Sequence, residues 1–174
     1  MSLAIGAPAP RFTLPDTNGT PTALSDGAAA ASVVVFTCNH CPYALAWHER
    51  IQAVARDYGA RGVRTLQINA NDSRRYPHDS VEAMAARVDA GEFAGPYLHD
   101  ATQEVARDFG ATVTPDVFVL DADGRLAYHG APDADYDDES LDAAWLRESL
   151  DAVLDGRPAE QTETRPVGCS IKWR

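Results

Sequence analysis

Two cysteines three positions apart, Cys38 and Cys41, follow an apolar run in the stretch VVVFTCNHCPYA. A pair at this spacing can cycle between two thiols and one disulfide, one sulfur attacking and the other resolving. His40 stands between them and supplies positive charge or a proton relay near neutral pH. Pro42 follows directly. Residues 32–36 read as a buried strand. From Pro42 onward the period changes, with Trp47, Ile51, Val54 and Tyr58 on one helical stripe. The pair therefore sits where a strand hands over to a helix N-terminus. Free backbone N–H groups there favour an anion, and such placement lowers a thiol from about 8.5 to about 3.5–7.5.

Two other chemistries use the same residues. Both cysteines can be small buried hydrophobes. Alternatively Cys38, His40, Cys41 and Cys169 can ligate zinc or copper, as in a metal-binding protein or copper chaperone. A structural zinc site usually draws two ligand pairs, and the second pair is absent here. Cys-x-x-Cys at a strand-to-helix junction in a βαβ context points to redox chemistry, with no organic cofactor and no metal.

The order of attack turns on Pro42. Proline favours the first helical position, where its missing N–H would be orphaned anyway. Cys41 then becomes the helix cap and takes most of the dipole, with Cys38 upstream as the resolving thiol. The other arrangement puts Cys38 at the cap and Cys41 one turn in.

The elements that must hold this turn are legible in outline. Thr13 and Thr22 lie in short extended pieces, 12–14 and 22–24, flanking a turn at Asn18-Gly19. Residues 63–68 form a second strand, leading to the polar loop NANDSRRYPHDS. Asp79 or Ser80 caps the next helix, with Glu82 placed for a capping box. Asp100 with Gln103 opens a short helix ending at Gly110. TPDVFVL and RLAYHG are strands joined at DADG. Leu141, Trp145, Leu146, Leu150 and Val153 mark the last helix. This order predicts an α/β fold: a mixed central sheet with helices on both faces and an N-terminal β-hairpin.

At 174 residues the chain reads as a single domain, 1–174, with 156–174 an irregular tail. A net charge of −11 disfavours nucleic acid and anionic membrane surfaces as partners. The first residues lack a basic start followed by an apolar stretch, so a cytoplasmic protein is expected. Three cysteines are too few for a disulfide scaffold.

The ensemble resembles the thioredoxin-like superfamily in its redoxin branch, the alkyl hydroperoxide reductase/thiol-specific antioxidant (AhpC/TSA) family. GAPAPRFTLPDTNGTPTALSD is similar to that family's N-terminal entry, and ATVTPDVFVLDADGRLAYHG to its strand pair beginning with a cis-proline. FTCNHCPY, INAND and a terminal GCSIKW resemble a subgroup of small bacterial members. The resemblance implies that Cys38 and Cys41 are redox-active; Thr37, His40 and Pro42, which adjoin them, are read as active-site support. It implies that Pro115 is cis and packs against the sulfurs, and that Thr114 offers backbone groups to an incoming substrate chain. The activity implied is thiol–disulfide exchange on a protein or small-molecule disulfide, or on a peroxide. Reducing power would come from a thioredoxin or glutathione system. A thiol peroxidase is the nearest alternative. Peroxidase members carry a threonine or serine three residues before the attacking cysteine, whereas Thr37 is four before Cys41 and one before Cys38.

Some residues carry weaker signals. Cys169 is a candidate third redox thiol or a buried anchor beside Trp173. Asn69, Asn71 and Asp72 follow a strand end, lining a cleft or forming a turn. His48, His78, His99 and His129 read as ordinary. Trp47 and Trp145 read as core. Residues 133–139 read as a solvated acidic loop.

Overall fold

The computed structural model describes residues 2–174. Its centre is β3 (Ala31–Phe36), every residue of which is buried. A strand covered on both faces must be apolar throughout, and ASVVVF nearly is. β3 pairs in parallel with β4 (Val63–Asn69), which pairs in parallel with β5 (Tyr97–His99). On its other side β3 meets β7 (Asp116–Leu120) antiparallel, and β7 meets β8 (Leu126–Gly130) antiparallel. The order is β5-β4-β3-β7-β8, a mixed sheet as expected from the sequence, with β5 an edge strand that the sequence reading did not include.

Alternate residues of β3 feed two cores. Val33 and Val35 pack with Trp47, Ile51 and Val54 of α1 (Pro42–Gly59) and with Leu146 and Leu150 of α4 (Ala144–Leu154). Val34 and Phe36 pack with Phe109 of α3 (Glu104–Phe109), and with Phe12 and Ile171. Trp145 is half-buried against the first of these cores. The N-terminal hairpin, β1 (Thr13–Pro15) with β2 (Pro21–Ala23), lies one residue away from the boundaries read in the sequence. Asp16 Oδ1 accepts from the N–H groups of Asn18 and Thr20, and Gly19 takes the positive φ that tightens the turn.

Three local readings change. Ser80 alone caps α2 (Val81–Asp89), its Oγ accepting from Ala83 N at 3.2 Å. Asp79 ends a 3-10 turn (Pro77–Asp79) and is fully buried. Asp133, read as part of a solvated loop, is also buried: it accepts from Trp47 Nε1, both ways from Arg50, and from Ala143 N. The tail carries one further element, β9 (Cys169–Ser170), paired antiparallel with β6 (Val113–Thr114).

Candidate active site

α1 begins where the sequence places it. Cys41 is the N-cap, with φ −73° and ψ 125°, and Pro42 occupies the first turn. No side chain caps this end, so the helix's free N–H groups face the cysteine region unneutralised. Thr37 prolongs the β3–β4 ladder, its N–H donating to Ile68 O at 2.8 Å. The turn from Cys38 to His40 thus spans strand end to helix start.

Both sulfurs are fully buried and unbridged, and they contact one another. The Thr114–Pro115 peptide is cis and turns Thr114 toward them. Thr114 Oγ1 lies 3.3 Å from Cys38 Sγ, and Thr114 O lies 3.2 Å from Cys41 Sγ. Behind this loop Asp116 joins the Thr112 N–H to His129 Nε2, the latter at 2.7 Å. His129 is therefore a buried structural partner of the cis-proline loop.

The two thiols are driven apart electrostatically. Donation by the Cys38 thiol is the main effect lowering Cys41, to about 4; burial opposes it, and the Ala44 N–H and the Cys169 thiol and N–H add to it. Cys38 is pushed far above the ordinary thiol range by that same donation, then by burial and the charge of Asp79. One contact works against the Cys41 anion: Thr114 O suits a protonated Cys41 as acceptor and repels a thiolate. Burial and that carbonyl oppose the thiolate, while Cys38, Ala44 and Cys169 favour it. Cys169, half-buried and packed against the pair, is raised to about 11 by burial and by Cys41.

Asp79 holds the turn from beneath. Its Oδ1 accepts from Asn39 N at 2.7 Å and Asn69 Nδ2 at 2.9 Å, and its Oδ2 from Asn71 Nδ2 at 3.0 Å. His40 Nδ1 lies 2.6 Å from Oδ2 without an aligned hydrogen bond. Asn39 Oδ1 in turn accepts from Tyr97 OH and Arg87. Asn71 bridges two regions, since its Oδ1 accepts from Lys172 N in the tail. Asn69 and Asn71 thus serve the site from behind, and Asp72 accepts from the Arg74 N–H in a local turn. Sequence reading missed Asp79, Arg87 and Tyr97. The asparagines at 39, 69 and 71 were the available signal: buried amides need a shared acceptor.

Cys38 Sγ, His40 Nδ1 and an Asp79 oxygen lie within 4.8 Å of one another, the geometry of a three-ligand metal group. The Asp79 oxygens already accept three N–H groups, so most of their lone pairs are committed to holding the loop. Beside His40, a shallow pocket of about 270 Å³ is lined by Arg75, Tyr76, Pro77 and His78. A larger cavity, about 450 Å³, lies by the β7–β8 turn and the start of β3, at the opposite end of the sheet from the sulfurs.

Residues 5–129 match the model of the AhpC/TSA family. The chain belongs to that family. A hypothetical protein of Sinorhizobium meliloti 1021 is 37% identical, with a TM-score of 0.94 over 100% of this chain and 97% of that one. An uncharacterised conserved protein of Geobacillus kaustophilus is 36% identical, with a TM-score of 0.92 over 99% and 93%. A curated relative, the thiol:disulfide interchange protein DsbE of Allochromatium vinosum, is 28% identical over 126 residues, which is 71% of this chain and 65% of that protein. Solved thioredoxin and peroxidoxin structures below 25% identity share the thioredoxin-like fold. Among the described residues no helix is long and apolar enough to cross a membrane.

Proposed function

We propose that this protein is a thiol–disulfide oxidoreductase in which Cys41 attacks and Cys38 resolves. The observation that carries the reading is the geometry: two free, buried cysteines pack together beside Thr114, with Cys41 at the N-cap of α1. Cys41, at the cap, is lowered chiefly by the Cys38 thiol; Cys38 is raised by the same contact and by burial.

The Cys41 thiolate attacks one sulfur of a substrate disulfide. That S–S bond breaks, a mixed disulfide forms, and the second substrate sulfur leaves as a thiolate. The leaving thiolate takes the Cys38 proton, and the Cys38 sulfur attacks Cys41. The substrate sulfur bound to Cys41 leaves as a thiolate, which takes its proton from water, and a Cys38–Cys41 disulfide remains. An external dithiol, of thioredoxin or glutathione type, returns the two electrons. Thr114 and Pro115 present the backbone edge beside the sulfurs, while His40 and Asn39 tie the turn to Asp79.

Family membership favours a second reading, reduction of a peroxide by the same Cys41 thiolate. Insulin reduction against peroxide consumption separates the two. Cys41→Ser is expected to abolish turnover and Cys38→Ser to accumulate a mixed disulfide with substrate; accumulation by Cys41→Ser instead reverses the roles. A stoichiometric metal in protein purified under reducing conditions would replace both readings with a metal site at Cys38, His40 and Asp79.

A further inference from the structure

The attacking sulfur has no exposed surface. Tyr43 and Cys169 pack against it, and Thr114 borders it. Cys169 comes from the tail, which runs antiparallel along β6 with Cys169 opposite Thr114 and Ser170 opposite Val113. Ile171 N extends the pairing by donating to Thr112 O at 3.0 Å. A strand-pairing edge beside a reactive sulfur is a surface that recognises extended peptide. Here the chain's own tail occupies it, and sets a cysteine against Cys41.

Two details show that the fit is close. Gly168 lies so near Thr114 that a Cβ at this position would collide with the Thr114 carbonyl carbon and oxygen. Its φ is not in the positive range, so the glycine answers to space and not to backbone conformation. The tail is also fastened on both sides of this contact. Thr162 O and Thr164 N bond the backbone of His129. Lys172 bonds Asp72 N, Asn71 Oδ1 and Gln103 Nε2.

We propose that this tail is a built-in strap: it covers Cys41 and occupies the Val113–Thr114 edge where the resemblance puts an incoming substrate chain, so it must leave that edge before exchange. The inference rests on the exchange reading above and adds what must leave first.

Gly168→Ala tests it, because the methyl group pushes the tail from Thr114 while the anchors at Ile171 and Lys172 remain. Iodoacetamide should label Cys41 at least fivefold faster in the variant than in the wild type, and insulin reduction should rise by a similar factor. A folded variant with both rates unchanged overturns the strap. Faster labelling with no insulin reduction in either protein overturns the exchange reading. A second measurement avoids any instability of the variant. Cys38→Ser treated with diamide should form an intramolecular Cys41–Cys169 disulfide in the monomer, the two thiols giving two electrons and two protons to the diazene. Two thiols still free after treatment show that the tail does not present Cys169 to Cys41.

Discussion

Asp79 and Asp133 are both buried, and both hold a loop by gathering donors, but the donors differ in kind. Asp133 faces a guanidinium: Arg50 NH1 reaches both of its oxygens at 3.0 Å, with Trp47 Nε1 and Ala143 N completing the set. Asp79 faces neutral dipoles, namely one backbone N–H and two side-chain amides, plus a half-exposed histidine. A carboxylate matched by a permanent cation is electrically quiet to its neighbours. One held by dipoles keeps a field, and here that field falls on Cys38, helping to keep its proton in place. Asp133 fixes a structure; Asp79 fixes a structure and adds to the raising of Cys38.

The largest effect should follow from breaking the quiet site. Asp133→Ala takes the carboxylate from the half-buried Arg50, leaves Trp47 Nε1 and Ala143 N without their acceptor, and should cost about 3–5 kcal/mol, read by urea denaturation. Exchange activity per folded molecule should survive, because nothing at Asp133 touches a sulfur.

Asp79→Asn should cost less, about 1–3 kcal/mol, since it keeps the shape but turns an NH2 donor toward donors. Its signature is electrostatic. In the wild type, thiolate absorbance should show one cysteine ionising as pH rises through about 4, because Cys41 is depressed, and Cys169 ionising only through about 11. Cys38 should ionise later than an ordinary thiol, because it is raised. Asp79→Asn should bring the Cys38 step to lower pH, and Asp133→Asn should leave it alone. Equal behaviour of the two variants would erase the distinction. The smallest effect belongs to Ser80→Ala, about 1 kcal/mol from a lost cap, with no change in the cysteine titration. A cysteine shift in that variant would mean that Ser80 and Asp79 act as one unit.

These two aspartates also mark where sequence reading ran out. Aspartate is common in turns and caps whether or not it is buried, so Asp79 read as a cap and Asp133 as solvated loop. Their burial depends on donors distant in the chain: Asn39 is 40 residues from Asp79, and Arg50 is 83 from Asp133. The mixed sheet, α1 and its cap at Cys41 were legible because periodicity and proline chemistry act within a few residues, whereas the three-residue β5 was not. The cis peptide at Pro115 was visible only through family resemblance. β9 spans two residues, too short for any period to register.

The double fastening of the tail has a consequence in concentration. A segment held at both ends by a short tether meets its site at an effective concentration of about a millimolar. A free protein segment at about ten micromolar therefore starts roughly a hundredfold behind, about 2.7 kcal/mol, before any contact is compared. Thr162 and Thr164, which hold the tether to His129, contribute to that handicap without being opposite Thr114 in the strand pairing. Loosening them would open the site to competitors by lengthening the leash alone.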